Sequence, residues 1–260
     1  MARFAAVSSL ILLLVFVASA QTQPQSDPQA VSFASQSIAA MTGGNAIGDV
    51  TLTGNVTWSG GAVPETGTVT MLASGTGESR MNLTFPSETR AEIRDASTGV
   101  AQGEWIAQSG ASGLFAFQNC ATDAVWFFPV LGSLAAGPNV VLTYVGRETR
   151  NGESVQHIQS YVYQSNPYGL NPSPQQLSTM DFYLDATTLL PAVVTFSAHP
   201  DNNPATNLLT EVDFSNYQAL AGVLVPVNIQ RSLQGNVLVV INISSASFNS
   251  GLPLSDFTIN

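Results

Sequence analysis

Asp49-Val50-Thr51-Leu52-Thr53-Gly54-Asn55-Val56-Thr57-Trp58 is the stretch from which the fold is read. Val50, Leu52, Val56 and Trp58 alternate with Thr51, Thr53, Asn55 and Thr57. A period of two places one apolar and one polar face on a strand. The pattern continues on the C-terminal side. Residues 60–64 read as a turn, and 67–73 as a strand with Val69 and Met71 on one face. After Gly75-Thr76-Gly77, a third strand puts Ser79, Met81, Leu83 and Phe85 on one side and Arg80, Asn82 and Thr84 on the other. A fourth strand, 90–95, is centred on Ile93, and 104–107 is a short fifth. Such short connections give an antiparallel meander, because parallel pairs need long crossovers.

A second run of strands fills the far half of the chain. Val140 to Arg147 and Val155 to Tyr163 flank Asn151-Gly152, a strong hairpin turn signal. Residues 165–174 hold three prolines and read as a loop. Regular strands follow. They carry Met180, Phe182 and Leu184; Leu190, Ala192, Val194 and Phe196; Val212 and Phe214; Val225, Val227 and Ile229; and Val239, Ile241 and Ile243. Before the first strand, Asp27-Pro28 is a helix start, with Asp as cap and Pro at the first position. Val31, Ala34, Ile38 and Met41 follow at helical spacing, and Gly43-Gly44 ends the element.

One stretch breaks the strand period. Asn119 to Ala136 places Trp126, Phe127 and Phe128 side by side, with Leu131 close by. Thr122 or Asp123 can cap a helix there and Gly137-Pro138 can end it, with a kink at Pro129. Full burial of each large side chain gains roughly 1.5–3 kcal/mol, so something must cover them. Either they fill the core as a plug or they partly cover a cavity that accepts an apolar ligand.

Composition narrows the class. The chain has 260 residues, a formal net charge of −10, one cysteine and no lysine. The absence of lysine excludes Schiff-base chemistry, the phosphate-loop lysine and Ser-Lys dyads. An acidic chain suits neither nucleic acid nor an anionic membrane surface. A single Cys120 forms no intrachain disulfide. Arg3, the apolar run from Leu10 to Val17 and Ala18-Ser19-Ala20 read as a signal peptide over residues 1–20. Residues 21–27 read as a disordered linker, and 28–260 as one domain. The expectation is export, to the periplasm or beyond the cell, with no membrane span in the mature chain.

Catalytic constellations are not visible. Cys120 has no elbow or oxyanion turn near it and reads as a small buried hydrophobe. His157 and His199 stand far apart, without the ligand spacing of a metal site. The carboxylates are scattered singly, so no hydrolytic pair can be assigned. No enzyme activity and no cofactor are expected.

Four signals in the last third carry a resemblance. They are Phe182-Tyr183-Leu184-Asp185 followed by Leu190-Pro191, Val212-Asp213-Phe214-Ser215-Asn216-Tyr217, Gly222-Val223-Leu224-Val225-Pro226, and Leu252-Pro253-Leu254-Ser255-Asp256-Phe257. Together with an N-terminal helix before a β meander, they resemble the LolA/LolB-like lipoprotein-carrier superfamily, with the last signal as a terminal strand. The resemblance implies a mainly β protein with two helices. Its fold is an incomplete, open antiparallel β-barrel of about ten strands with a helical lid or plug. It also implies an apolar concave interior and carriage of a lipid or lipoprotein acyl chain. Trp126, Phe127, Phe128 and Leu131 are the expected lid. Met71, Met81, Leu83, Phe85, Phe182, Phe196 and Phe214 are the expected wall. Arg80 is a candidate interior arginine, although strand alternation sends it to the solvent face. The alternative reading is a structural or protein-interaction module of the cell envelope with a filled core. The sequence sets no cargo and no oligomeric state.

Overall fold

In the computed structural model, which describes residues 24–97, 101–122, 139–166 and 168–259, Asp49–Trp58 forms β1 at the middle of a 13-stranded antiparallel sheet. On one side of it follow β2 (Glu65–Ser74), β3 (Ser79–Thr84), β4 (Thr89–Asp95), β5 (Gln102–Ala107) and β6 (Ser112–Leu114). On the other side lie β13 (Asn236–Phe248), β12 (Val223–Leu233), β11 (Leu208–Leu220) and β10 (Pro191–Ala198). Then come β9 (Met180–Asp185), β8 (Glu153–Val162) and β7 (Val140–Arg150). Two meanders are thus joined by one non-local pair, β1 with β13. The edges are β6 and β7, so the sheet is open.

The sheet has more strands than the periodicity suggested. β6 lies in a stretch too rich in glycine and serine to show alternation. Its pairing is made by β5: Trp105 stands opposite Gly113, and a Cβ there would come within 2.9 Å of the indole nitrogen. Glycine lets the ring lie against the backbone.

Register fixes which side chains share a face. Leu52, Met71, Met81, Glu92 and Trp105 stand opposite one another across β1 to β5. Leu83 stands opposite Arg90, and Ser79 opposite Arg94. The inner side of β4 therefore carries Arg90, Glu92 and Arg94. Ile93, on which that strand is centred, points the other way, opposite Arg80 and Glu104. There the chain end covers it. Leu254–Phe257 is a 3₁₀ turn packed on β3 and β4, not the terminal strand implied by the resemblance. Phe257 is buried, and the Arg80 guanidinium donates to the Asp256 carbonyl at 3.2 Å. Arg80 is thus on the outer face and is not an interior arginine. A second displacement occurs at β10, where a bulge between Pro191 and Val193 moves Ala192 off the Val194–Phe196 face. Ala192 packs instead with Val155, Tyr183 and Val193 outside the main core.

The first helix, α1 (Pro28–Thr42), forms as its ends dictate. Asp27 Oδ1 accepts from the Gln29 N–H at 2.7 Å, Pro28 opens the helix, and Gly43 closes it in the left-handed region. Its buried stripe is Ala30, Ala34, Ser37 and Met41. Val31, expected on that stripe, is 40% exposed. The helix is rotated so that small residues face β7 and β12, which permits close approach, while Phe33 meets Tyr144 at 5.2 Å between ring centroids. The preceding residues cover the β7 edge: the Asp27 N–H donates to the Leu142 carbonyl at 2.8 Å, and the Leu142 N–H to Ser26 Oγ at 3.0 Å.

Two short helices escaped the periodicity. α2 (Phe117–Cys120) ends where a helix was expected to begin, and α3 (Pro174–Ser178) starts with a capping box of Ser173 and Gln176 inside the expected loop. The signal segment 1–20 and the lid residues Trp126, Phe127, Phe128 and Leu131 lie outside the described residues. One core cluster runs along the inner face and takes in α1, both meanders and the β1–β13 joint.

Candidate functional site

All seven expected wall residues fall on the inner face. Met71, Met81, Leu83, Phe182, Phe196 and Phe214 are buried members of the core cluster, and Phe85 packs against it partly buried. They differ in access to open space. Leu83 and Phe85 line a cavity of about 380 Å³ that is also walled by Trp58, Val63 and Arg90. Phe196 lines a second cavity of about 230 Å³ with Trp58, Phe115 and Val239. Phe182 is fully buried within the cluster.

The second cavity has two features that the sequence reading missed. Its walls come from β1, β4, β10, β12 and β13, so strands far apart in the sheet order meet there. Its lining also holds Arg90, Glu92 and Arg231 among the apolar groups. Arg90 Nε lies 2.9 Å from Glu92 Oε1, and the Arg90 guanidinium stands 5.9 Å from the Trp105 ring centroid. The signal for Arg231 was present: Val225, Val227 and Ile229 set an inward alternation whose next position is Arg231. For β4, an equal spacing of Arg90, Glu92 and Arg94 was visible, but with Ile93 as its only large apolar residue the strand showed no inward face.

The segment around α2 is tied to both halves of the sheet. Arg94 Nε donates to the Cys120 carbonyl at 2.9 Å, and its Nη1 donates to the Gly77 carbonyl. Asn119 bonds the backbone of His199, and Gln118 Nε2 donates to the Pro200 and Asp201 carbonyls at 3.1 and 3.2 Å. α2 therefore bridges β4 to the β10–β11 turn. Cys120 is buried, and its Sγ donates to the Ala116 carbonyl at 3.5 Å. A thiol held this way is a packed side chain rather than an activated nucleophile.

His157 lies on the outer face. Its ring stacks on Tyr183 at 4.4 Å, and Nε2 is 2.8 Å from Asp181 Oδ1. Nδ1 faces Glu148 at 3.5 Å, a carboxylate rather than a nucleophile, so the pair does not form a hydrolytic relay. Burial pulls the Asp181 carboxyl up, but hydrogen bonds from His157 and Gln159 outweigh it and hold the group below the usual range. Arg150 lies 4.1 Å from the Tyr183 ring centroid and pairs with Glu211. Burial, and then the Glu211 charge, push the Asp213 carboxyl up to about 6. Among the described residues no group of three or more His, Cys, Asp or Glu side chains is placed to hold a metal ion. No described helix is long and apolar enough to cross a membrane.

No family model matches the chain, and no curated protein matches it. Solved structures do. A Vibrio parahaemolyticus domain described as an outer membrane lipoprotein-sorting type is 14% identical with a TM-score of 0.57, over 88% of this chain and 96% of that one. A DUF1329 family protein from Desulfovibrio piger is 10% identical with a TM-score of 0.58, over 90% and 98%. A LolA superfamily protein from Nitrosomonas europaea is 12% identical with a TM-score of 0.52, over 88% and 97%. At these identities the likeness is one of fold: the chain shares with all three a mostly β architecture built on an open antiparallel sheet.

Proposed function

We propose that the chain is an exported, non-enzymatic binder or carrier of a hydrophobic ligand, related to the LolA/LolB-like carriers that its C-terminal motifs resemble. In this reading residues 1–20 direct export, and the mature chain is one domain whose sheet forms an incomplete barrel. Met71, Met81, Leu83, Phe85, Phe182, Phe196 and Phe214 form the wall, and the ligand is a lipid or an acyl chain. The observation that carries the reading is open space at the end of the aromatic and aliphatic face, where Trp58, Leu83 and Phe85 meet Glu65, Ser87, Glu88 and Arg90. The cavity at Trp58, Leu83 and Phe85 measures about 380 Å³, within the roughly 300–1,000 Å³ typical of small-molecule sites. The shared fold with a lipoprotein-sorting type domain and a LolA superfamily protein supports it.

A second reading, an envelope interaction module with a filled core, is favoured by the complete burial of Phe182, Ile158 and Ile229. One experiment separates the two. The mature protein, purified from the exported fraction, is examined by native mass spectrometry and then stripped and titrated with an apolar fluorescent probe. Carriage predicts co-purifying lipid and saturable probe uptake that Phe85→Asp abolishes in a folded protein. A lipid-free protein that takes up no probe would establish the filled-core reading instead.

A further inference from the structure

We infer that the larger cavity takes an amphiphile by a cationic head, an ammonium borne on an apolar chain, with Glu65 and Glu88 as its charge partners. This rests on the carrier reading above and adds a ligand class to it. Two turns frame the mouth of the cavity: residues 59–64 between β1 and β2, and residues 85–88 between β3 and β4. Glu65 follows the first turn and stands opposite Trp58, which packs against the core cluster, so its carboxylate leaves β2 on the inner face. It accepts a hydrogen bond from Ser87 Oγ, which ties the two turns together. Glu88 is exposed at the same mouth. Among the described lining residues Arg90 is the one cation, and it pairs with Glu92 at 2.9 Å. Two carboxylates against one guanidinium give this lining an excess of negative charge.

The apolar part of the lining suits a cation as well as a chain. Trp58 and Phe85 are each seated on a glycine: a Cβ on Gly60 would come within 2.9 Å of the Trp58 ring, and one on Gly67 within 2.9 Å of the Phe85 ring. Both rings are thereby held in the same lining as the carboxylates. Ring faces attract an ammonium, and the attraction grows as the site is shielded from water. Apolar walls around charges of one sign focus their potential on an entering ion. A head at Glu65 and Glu88 leaves its chain to run along Trp58 toward Leu83, a buried member of the core cluster. A carboxylate-headed chain would meet the same walls and be repelled at the mouth. A neutral one would gain the walls alone.

The test titrates the delipidated mature protein by calorimetry with four amphiphiles of one chain length, below their micellar concentrations: dodecylamine, dodecyltrimethylammonium, dodecanol and dodecanoate. One or both ammonium compounds should bind about tenfold tighter than the alcohol, the scale of one partly shielded cation contact. Dodecanoate should bind more weakly than the alcohol. Which ammonium compound binds tighter tells a hydrogen-bonded primary amine from a quaternary head. Raising the salt concentration should narrow the gap between ammonium and alcohol. Replacing both carboxylates, Glu65→Gln with Glu88→Gln, should close it. If that double variant does not fold, Glu88→Gln alone, at its exposed turn, should narrow the gap and decides by the same comparison. Equal binding of cationic and neutral amphiphiles, a preference for dodecanoate, or an ammonium preference that survives the glutamine variants overturns the head site and leaves the carrier reading standing. Failure of all four to bind defeats both.

Discussion

The Asn119 side chain and the His199 backbone exchange two hydrogen bonds: Asn119 Nδ2 donates to the His199 carbonyl at 2.8 Å, and Asn119 Oδ1 accepts the His199 N–H at 2.8 Å. One amide thereby mimics a strand partner and fixes α2 to the turn after β10. His199 is buried, so its backbone groups have little water to fall back on. Asn119→Ala should cost about 1–3 kcal/mol in urea unfolding, since it leaves a donor and an acceptor unsatisfied. Asn119→Asp should cost more, because a carboxylate then faces the His199 carbonyl. Equal stability of wild type and Asn119→Asp would show that the bridge contributes nothing.

The outer-face carboxylates predict opposite responses to pH. An unfolded aspartate titrates at about 3.9, whereas Asp213 in the fold is pushed up to about 6 by burial and by Glu211. Between those values the folded chain holds a proton that the unfolded chain lacks. Stability therefore falls as pH rises through that window, and the full cost stands above it. Asp213→Asn should raise stability at pH 7.5 by about 1 kcal/mol, a figure reduced for the half-exposed position, and change little at pH 4. Asp181 works the other way. Its carboxyl is held below the usual range, so its contribution is present at neutral pH and is lost only as the medium becomes strongly acid. Thermal melts of wild type and Asp213→Asn from pH 4 to 8 test this. A difference between them that does not vary with pH would exclude the proposed cause.

At the chain end, Phe257 fills the outer side of β3 and β4 and is buried. Phe257→Ala should cost about 3–5 kcal/mol, as for other buried phenylalanines. Arg80→Met, which keeps the stem but removes the bond to the Asp256 carbonyl, should cost about 1 kcal/mol. Because both changes act away from the inner face, ligand affinity should not move in either variant at a temperature where it is folded. Denaturant midpoints and probe titrations check the two halves of this expectation.

The strands were legible because their turns and alternation agree. Asn151-Gly152 takes positive φ at both residues, as its sequence signalled, and β7 and β8 pair across it. Pairing of β1 with β13 was not legible, since it joins residues about two hundred positions apart and leaves no local signal. Ile93 shows the limit of polarity patterns. A strand with its one large apolar residue on the outer face and arginines inside shows no facing in its polarity, and the packing of the chain end on β3 and β4 supplies it. The inward apolar positions were recoverable because apolar alternation marks the inner face. The charges on that face were not, because an inward arginine at the end of an apolar row looks like the row's termination.

The contrast between Phe182 and Phe196 offers the sharpest test of whether the inner face is core or cavity. Phe182 stands opposite Ile158 and Val194 and is 0% exposed. Phe196 is two positions along on the neighbouring strand, 6% exposed, and borders the smaller cavity. Truncating Phe182 removes contacts on all sides and should cost about 3–5 kcal/mol. Truncating Phe196 removes a side chain already facing a void, so its cost should lie at or below the low end of that range. For ligand uptake the order should reverse. Phe196→Ala enlarges the cavity and should shift probe affinity by about tenfold, the packing of about two methylenes, whereas Phe182→Ala should leave affinity unchanged in the population that remains folded. Urea midpoints and probe titration on the same two variants read both orders at once. If both variants lose stability equally and neither alters uptake, the aromatic residues act as one filled core and the cavity carries no ligand.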